Sequence, residues 1–365
     1  MNNENIALAR MLRRELHNIP EPSGKEIKTA QTIKAFLAEY TTLEIHDCGR
    51  GFYAAHREKD AKLSVALRAD YDALVIKAAE SENEKPVCAH LCGHDGHAAG
   101  LCLAALELEG RTTGMNVFFL FQPAEETGEG AEGCCEIFRL ENIDEIYGLH
   151  NLPGFRFGQV YTTPGSFAPA SFGMTMRFHG KTSHAAYPED GICPATAVGR
   201  LLTALPEIPD SGKFDGMVLI TVIGVDMGGT SFGEMCGDAT VRLTLRGERG
   251  GELDELRDNL LSLASGLAEE YRLGFEYDTR DVFPATENYT ECARKVLERC
   301  DGALLDEPMR WSEDFGWYLE KCRGAFFGIG AGVDCPPLHT SGYEYPDELM
   351  PYAAGAFLKI LGVEA

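Results

Sequence analysis

Short apolar runs of strand length alternate along this chain with stretches of helical periodicity, and that alternation restricts the fold more than any other feature. Leu63 to Ala69 reads as a strand ending at Asp70-Tyr71-Asp72, and Asn116 to Gln122, β-branched and aromatic, as another that stops at Pro123. Ile146 to His150 is a third short strand. Around them, Glu4 to His17 sets Ile6, Ala9, Leu12 and Leu16 on one helical face, and Lys25 to Tyr40 repeats the pattern. His97 to Glu109 is a further helix, stopped by Gly110. Strands separated by helices predict an α/β sheet with helices on its faces. The longest compact apolar run, Val117 to Phe121, is far too short to cross a bilayer.

From about Ser166 the texture changes. Ser171 to His179 alternates, Ala195 to Leu205 is helical, Met217 to Val225 is a strand and Ala239 to Arg246 alternates again. A long helix over Leu253 to Tyr271 and a last strand over Leu273 to Tyr277 complete a β-α-β-β-α-β order that resembles a ferredoxin-like unit. After Arg280 the first pattern returns, with a helix near Tyr289–Cys300, a strand at Gly324–Ile329 and a final helix from Pro346. The reading is one discontinuous α/β domain, residues 1–165 plus 281–365, interrupted by a smaller α+β domain, residues 166–280. A length of 365 residues agrees, at roughly 150 residues per domain.

Charge and cysteine use narrow the functional class. There are 33 Lys and Arg against 57 Asp and Glu, a net charge of −24, which repels phosphate backbones and argues against nucleic acid as a partner. Neither a signal-peptide core nor a membrane segment is visible, so a cytoplasmic location is expected. The twelve cysteines are irregularly spaced; adjacent Cys134-Cys135 and the isolated Cys193, Cys236 and Cys322 read as reduced, small apolar residues.

Polar clusters collect where the predicted strands end. Asp70/Asp72, Glu125/Glu126 and His150 sit at carboxyl ends, the edge where open α/β sheets bind ligands. Cys92-Gly93-His94-Asp95-Gly96-His97 lies at a helix start, and His339 follows Pro336-Pro337-Leu338 in a late loop. Each has a bland alternative: a strand-end Asp caps turns, paired Glu suits a helix N-terminus, and a lone His is often a hydrogen-bonded core residue. Together, five such groups form a plausible metal site, with a Cys, His and carboxylate mixture that suits zinc, manganese, cobalt or nickel better than calcium or magnesium. Gly328-Ile329-Gly330-Ala331-Gly332 lacks the Lys-Ser/Thr ending of a phosphate loop.

An ordered series of motifs carries a family resemblance. Arg13–Glu21, Leu67-Arg68-Ala69-Asp70-Tyr71-Asp72-Ala73-Leu74, Cys92–His97, Phe121-Gln122-Pro123-Ala124-Glu125-Glu126, Gly148-Leu149-His150, His179–Pro188 and Ser312-Glu313-Asp314-Phe315 run in sequence to the Pro337-Leu338-His339 loop. The chain resembles the M20 metallopeptidase clan, in its amidohydrolase branch of aminoacylases, hippurate hydrolases, N-acetyl-diaminopimelate deacetylases and auxin-conjugate hydrolases. The likeness implies a zinc-exopeptidase-like catalytic domain with an inserted ferredoxin-like α+β domain that serves as lid and dimerisation element. It implies that Cys92, His94, Glu126, His150 and His339 bind two divalent metal ions, that Glu125 is the general base acting on a metal-activated water, and that Asp72 orients a ligand imidazole. His184, in the inserted domain, is implied to bind substrate or hold the oxyanion, with hinges near Gly165 and Arg280.

The expected reaction is hydrolysis of the amide bond of an N-acyl amino acid or related small conjugate, by a homodimer that pairs through the inserted domain. Departures fall on the substrate pocket: Ser231–Gly237 stands where the family usually has an Asn-bearing segment, and Val75 and Ala78 replace its usual proline and glutamate. A dipeptidase is the alternative within the same chemistry. A non-catalytic binding or scaffold protein is the alternative from another class, and it predicts damage to the metal set or base that the sequence does not show.

Overall fold

A mixed sheet of eight strands organises most of the chain. In sheet order the strands are Glu44–Cys48, Gly51–His56, Met115–Gln122, Leu63–Asp70, Glu145–Pro153, Arg323–Gly332, Val160–Thr162 and Ala303–Leu304. The middle four run parallel, which brings their carboxyl ends to one edge. Their interiors are almost wholly buried, as parallel strands covered on both faces must be. The computed structural model describes residues 1–76, 87–211 and 213–364; Ala78 lies outside the described residues.

The helix His94–Leu108 is the main support beneath the site. Its 15 residues are all buried, so it shows no polar stripe. It packs against the helices Asn3–His17 and Met350–Ile360 and against the strand Leu63–Asp70. Small side chains allow that crowding: a Cβ added at Gly100 would stand 3.3 Å from the Ala353 methyl.

The chain divides into two compact units. One comprises Met1–Phe167, Thr286–Pro308 and Glu313–Ala365, and the other Ala168–Ala285 with Met309–Ser312. The second unit holds a four-stranded antiparallel sheet in the order Val218–Met227, Asp238–Gly247, Ala170–His179, Gly274–Phe283. Met174, Met176 and Phe178 alternate inward on the third of these strands and pack with Leu201 of helix Ala195–Ala204 and Leu256 and Leu260 of helix Gly250–Glu270. Among the described residues no helix is long and apolar enough to cross a membrane.

Some boundaries differ from the periodicity. The helix expected from His97 begins at His94, because Gly93 adopts φ +99° and turns the chain into it. The strand expected over Leu273–Tyr277 continues to Phe283. The paired strands Glu44–Cys48 and Gly51–His56 were not legible, since the first is mostly polar and the second is rich in Gly and Ala.

Glu58 ties the end of one strand to the start of another. Its carboxylate accepts hydrogen bonds from the Thr113 N–H (2.6 Å), the Thr113 hydroxyl (2.9 Å) and the Gly114 N–H (2.8 Å), with His56 Nε2 at 3.1 Å. Burial opposes its ionisation, but these donors outweigh burial and hold its pKa down at about 2, against 4.5 when unfolded. A depressed carboxyl stabilises the fold fully above the unfolded value and loses that contribution as pH falls through the folded one. We therefore predict that Glu58→Gln lowers the Tm near neutral pH, and that the gap from the parent narrows between pH 4.5 and about 2. Thermal melts of both proteins across that range test it; a pH-independent gap refutes the assignment.

Candidate metal centre

Four backbone devices gather the site at the carboxyl edge of the large sheet. Strand Leu63–Asp70 ends on Asp70 and leads directly to Asp72. After strand Met115–Gln122, Ala124 takes a left-handed φ of +54° that swings Glu125 and Glu126 onto a single 3₁₀ turn. That conformation is secured by Glu26, whose Oε1 accepts the Ala124 N–H at 2.8 Å. Gly93 starts the buried helix that presents His94. His339, with φ +61°, is fixed by its N–H donating to the Leu91 carbonyl at 2.9 Å. His150 lies inside the strand Glu145–Pro153 and not past its end.

These residues converge through their side chains. Cys92 Sγ lies 3.3 Å from His150 Nε2 and 3.4 Å from His339 Nε2. His339 Nε2 is 3.5 Å from Glu126 Oε1. His94 Nε2 is 3.8 Å from both Glu126 Oε1 and Glu125 Oε2. Three overlapping donor sets result: Cys92, His94 and His150; Cys92, Glu126 and His339; and His94, Glu125 and Glu126.

Neighbouring groups fix which imidazole nitrogens face inward. Asp72 Oδ1 accepts from His94 Nδ1 at 2.8 Å, leaving the Nε2 lone pair aimed at the cluster. The other Asp72 oxygen accepts the Ser23 hydroxyl at 2.7 Å and the Glu126 N–H at 3.1 Å. In the same way, His150 Nδ1 donates to the Asn151 carbonyl at 2.8 Å and directs Nε2 at Cys92. His97, beside His94 in sequence, is committed elsewhere: Nδ1 is 2.6 Å from Asp70 and Nε2 is 2.5 Å from the Asn151 amide oxygen.

His94 Nε2 and Glu126 Oε1 are buried atoms with no hydrogen-bond partner among the described residues. Leaving such atoms unsatisfied is unfavourable by about 1–3 kcal/mol each. These two unsatisfied atoms, 3.8 Å apart, fit a shared cation, so the donor set suits a divalent metal. Burial, and after it the Glu126 carboxylate, push the Cys92 thiol well above its ordinary range. A nearby cation is what a thiolate there requires.

Beneath the donors sits a layer of paired charge that single motifs did not reveal. The buried Arg68 guanidinium is 2.6 Å from Asp70 and 2.9 Å from both Glu313 and Asp314, and its Nε donates to Gln122 at 2.7 Å. Arg68 and Asp70 share a strand face through the two-residue period; the pairing with Glu313 and Asp314 has no local signal. Glu125 is buried beside Glu313, Glu126 and Asp314, and burial followed by that repulsion raises its pKa well above the usual carboxylate range.

His184 belongs to the other unit. It lies exposed on a two-residue strand, Ser183–His184, paired with Glu234–Met235, and its Nδ1 accepts the Ala186 N–H at 3.1 Å. The structure thus brings Asp72, Cys92, His94, Glu125, Glu126, His150 and His339 together within one unit.

Residues 66–362 match the sequence profile of peptidase family M20/M25/M40. This chain is a member of that family. Among M20 relatives, the hippurate hydrolase of Campylobacter jejuni is 26% identical over 96% of this chain and 94% of its own length. The N-acetylcysteine deacetylase of Bacillus subtilis is likewise 26% identical, over 96% and 94%. A crystal structure of a dinuclear metal binding M20 peptidase from Bacillus subtilis superposes with a TM-score of 0.82 at 24% identity, over 99% of this chain and 98% of that one, a likeness of fold.

Gly93, between Cys92 and His94, combines a left-handed backbone with crowded surroundings. An added Cβ would stand 2.6 Å from the Tyr343 hydroxyl and 2.7 Å from Asn151 Oδ1, at φ +99°. Gly24 has φ +77° but nothing within 4 Å. Gly93→Ala is expected to destabilise by about 1–3 kcal/mol from backbone strain alone, and to exceed Gly24→Ala by the added overlap. Denaturant unfolding of the two variants measures the difference; equal losses overturn it.

Proposed function

We propose that this M20 enzyme hydrolyses the amide bond of N-acyl amino acids or related small conjugates, with two divalent ions held by Cys92, His94, Glu126, His150 and His339. The observation that carries the reading is the convergence of these donors, with His94 Nε2 and Glu126 Oε1 left without hydrogen bonds. Zinc, manganese, cobalt and nickel all suit the mixed donors. When bound, such ions polarise a scissile carbonyl and lower the pKa of water.

The chain's own residues supply the rest. Asp72 holds the His94 ring in the orientation that faces the site. Glu125, buried next to Glu126, takes the proton of the attacking water and passes it to the leaving amine. His184 binds substrate and steadies the developing oxyanion. The inserted unit, residues 166–280, is read as a ferredoxin-like lid; its β-α-β-β-α-β order and fully antiparallel sheet support that reading. Relatives acting on hippurate and N-acetylcysteine favour an acyl-capped amino acid over a free dipeptide. Twelve unpaired cysteines support a cytoplasmic location.

The test is metal content together with turnover of N-acetyl amino acids, N-benzoyl amino acids and dipeptides, for the parent and Glu125→Gln. We expect two ions per chain in both proteins, preference for capped substrates, and a rate loss of about 10²–10⁴-fold in the variant. Dipeptide preference would instead make it an exopeptidase, and metal bound without turnover would defeat the hydrolase reading.

The same proposal includes a homodimer formed through the inserted unit. Val218–Met227 is an edge strand, and it exposes Val222, Ile223, Val225 and Met227. Such an edge is a template for pairing with a second chain. Ile223→Lys combined with Val225→Lys is expected to convert a dimer to a monomer in size-exclusion chromatography with light scattering; an unchanged mass removes this edge from the interface.

A further inference from the structure

Cys193 and Cys236 are 43 positions apart in sequence, yet their sulfurs lie 3.3 Å apart. Both are half-buried, so solutes reach them. They meet where three segments of the inserted unit are laced together. Lys181 and Ile192 exchange backbone hydrogen bonds of 2.9 and 2.8 Å, and the Gly180 N–H donates to the Gly237 carbonyl at 2.6 Å. Ser183 pairs with Met235, and His184 with Glu234. Each cysteine therefore follows a residue, or precedes one, that is hydrogen-bonded to the Gly180–His184 segment.

We propose that Cys193 and Cys236 form a reversible disulfide, a thiol-modification site that fastens the base of the ribbon carrying His184. The backbone bonds already hold both flanking segments against the one between them, so only a small approach of the sulfurs, to about 2.0 Å, is needed. With a peroxide as oxidant, one sulfur attacks a peroxide oxygen, the O–O bond breaks, and that sulfur becomes a sulfenic acid as water leaves. The second sulfur then displaces the hydroxyl group, the S–S bond forms, and a second water carries off the remaining proton. Two thiols are oxidised and one peroxide is reduced to two waters.

Other sulfurs do not offer the same combination. Cys48 and Cys134 also adjoin each other, but both are buried away from solutes. Cys92 lies within the donor cluster. The Cys236 thiol is pushed up to about 11, first by burial and then by contact with Cys193. The Cys236 thiol accordingly rests protonated near neutral pH and reacts faster as pH rises.

The experiment treats the full chain with hydrogen peroxide, blocks the remaining thiols by alkylation, and maps peptides by mass spectrometry without reductant. We expect a Cys193–Cys236 cross-linked peptide two hydrogens lighter than its reduced parts. Thiol titration in denaturant then loses two of the twelve groups, and dithiothreitol restores them. In the oxidised protein the Gly180 and Ala185 amides, which donate to the Gly237 and Gly233 carbonyls, exchange with solvent more slowly. Cys193→Ser abolishes the cross-link and leaves Cys236 open to alkylation. If both cysteines stay alkylatable while other thiols oxidise, if they proceed to sulfinic acids, or if the cross-link joins two chains, the proposal is overturned. No turnover is read, so its failure leaves the amidohydrolase reading standing.

Discussion

The buried guanidinium of Arg68 is the interaction on which the site stands. It neutralises Asp70 and lies between Glu313 and Asp314, two residues that reach it from 246 positions away in the case of Asp314. Asp70 in turn engages His97, His97 engages Asn151, and the Asn151 amide donates to the Tyr343 hydroxyl at 2.7 Å. A chain of contacts thus runs from one strand to its neighbour and on to the loop before the last helix. Removing one member of a buried charged set leaves its partners uncompensated, at a loss of about 3–5 kcal/mol. The donors of the candidate metal centre rest on this floor.

The floor is also short of positive charge. Asp70, Asp72, Glu125, Glu126, Glu313 and Asp314 crowd one region, and among the described residues Arg68 is the only arginine or lysine paired with them. Burial raises Asp314 to about 6 although Arg68 opposes it, and burial lifts Glu313 as well. Glu125, Glu313 and Asp314 resist ionisation there, a tendency that added divalent charge would relieve. The same electrostatics favour cations over anions at this site.

Much of this was legible in the sequence because local rules coincide with the fold. The strands ending at Asp70 and Gln122 announce themselves by apolar runs and stop signals, and their polar successors fall at the edge where ligands bind. The ordered motifs then supply a family and, through it, a donor set. What stayed hidden depends on distance or on single backbone angles. His150 sits within its strand, where a ligand was expected beyond the end. The helix starts three residues early because of one left-handed glycine. Arg68 reads as an anomaly in an apolar strand until Glu313 and Asp314 arrive beside it, and Cys193 and Cys236 look unrelated until Gly180 draws their segments together.

The helix His94–Leu108 has a consequence for how this molecule comes apart. Because all of its residues are buried between the sheet and two other helices, it has no solvent-facing side from which to fray. His94, at its first turn, therefore belongs to the region whose opening requires unfolding of the whole unit. The exposed ribbon bearing His184 lies at the opposite end of that scale. Partial opening of this protein would begin among its proposed substrate contacts, while the cradle of candidate donors persists until cooperative collapse, a receptacle formed in advance for the proposed ions.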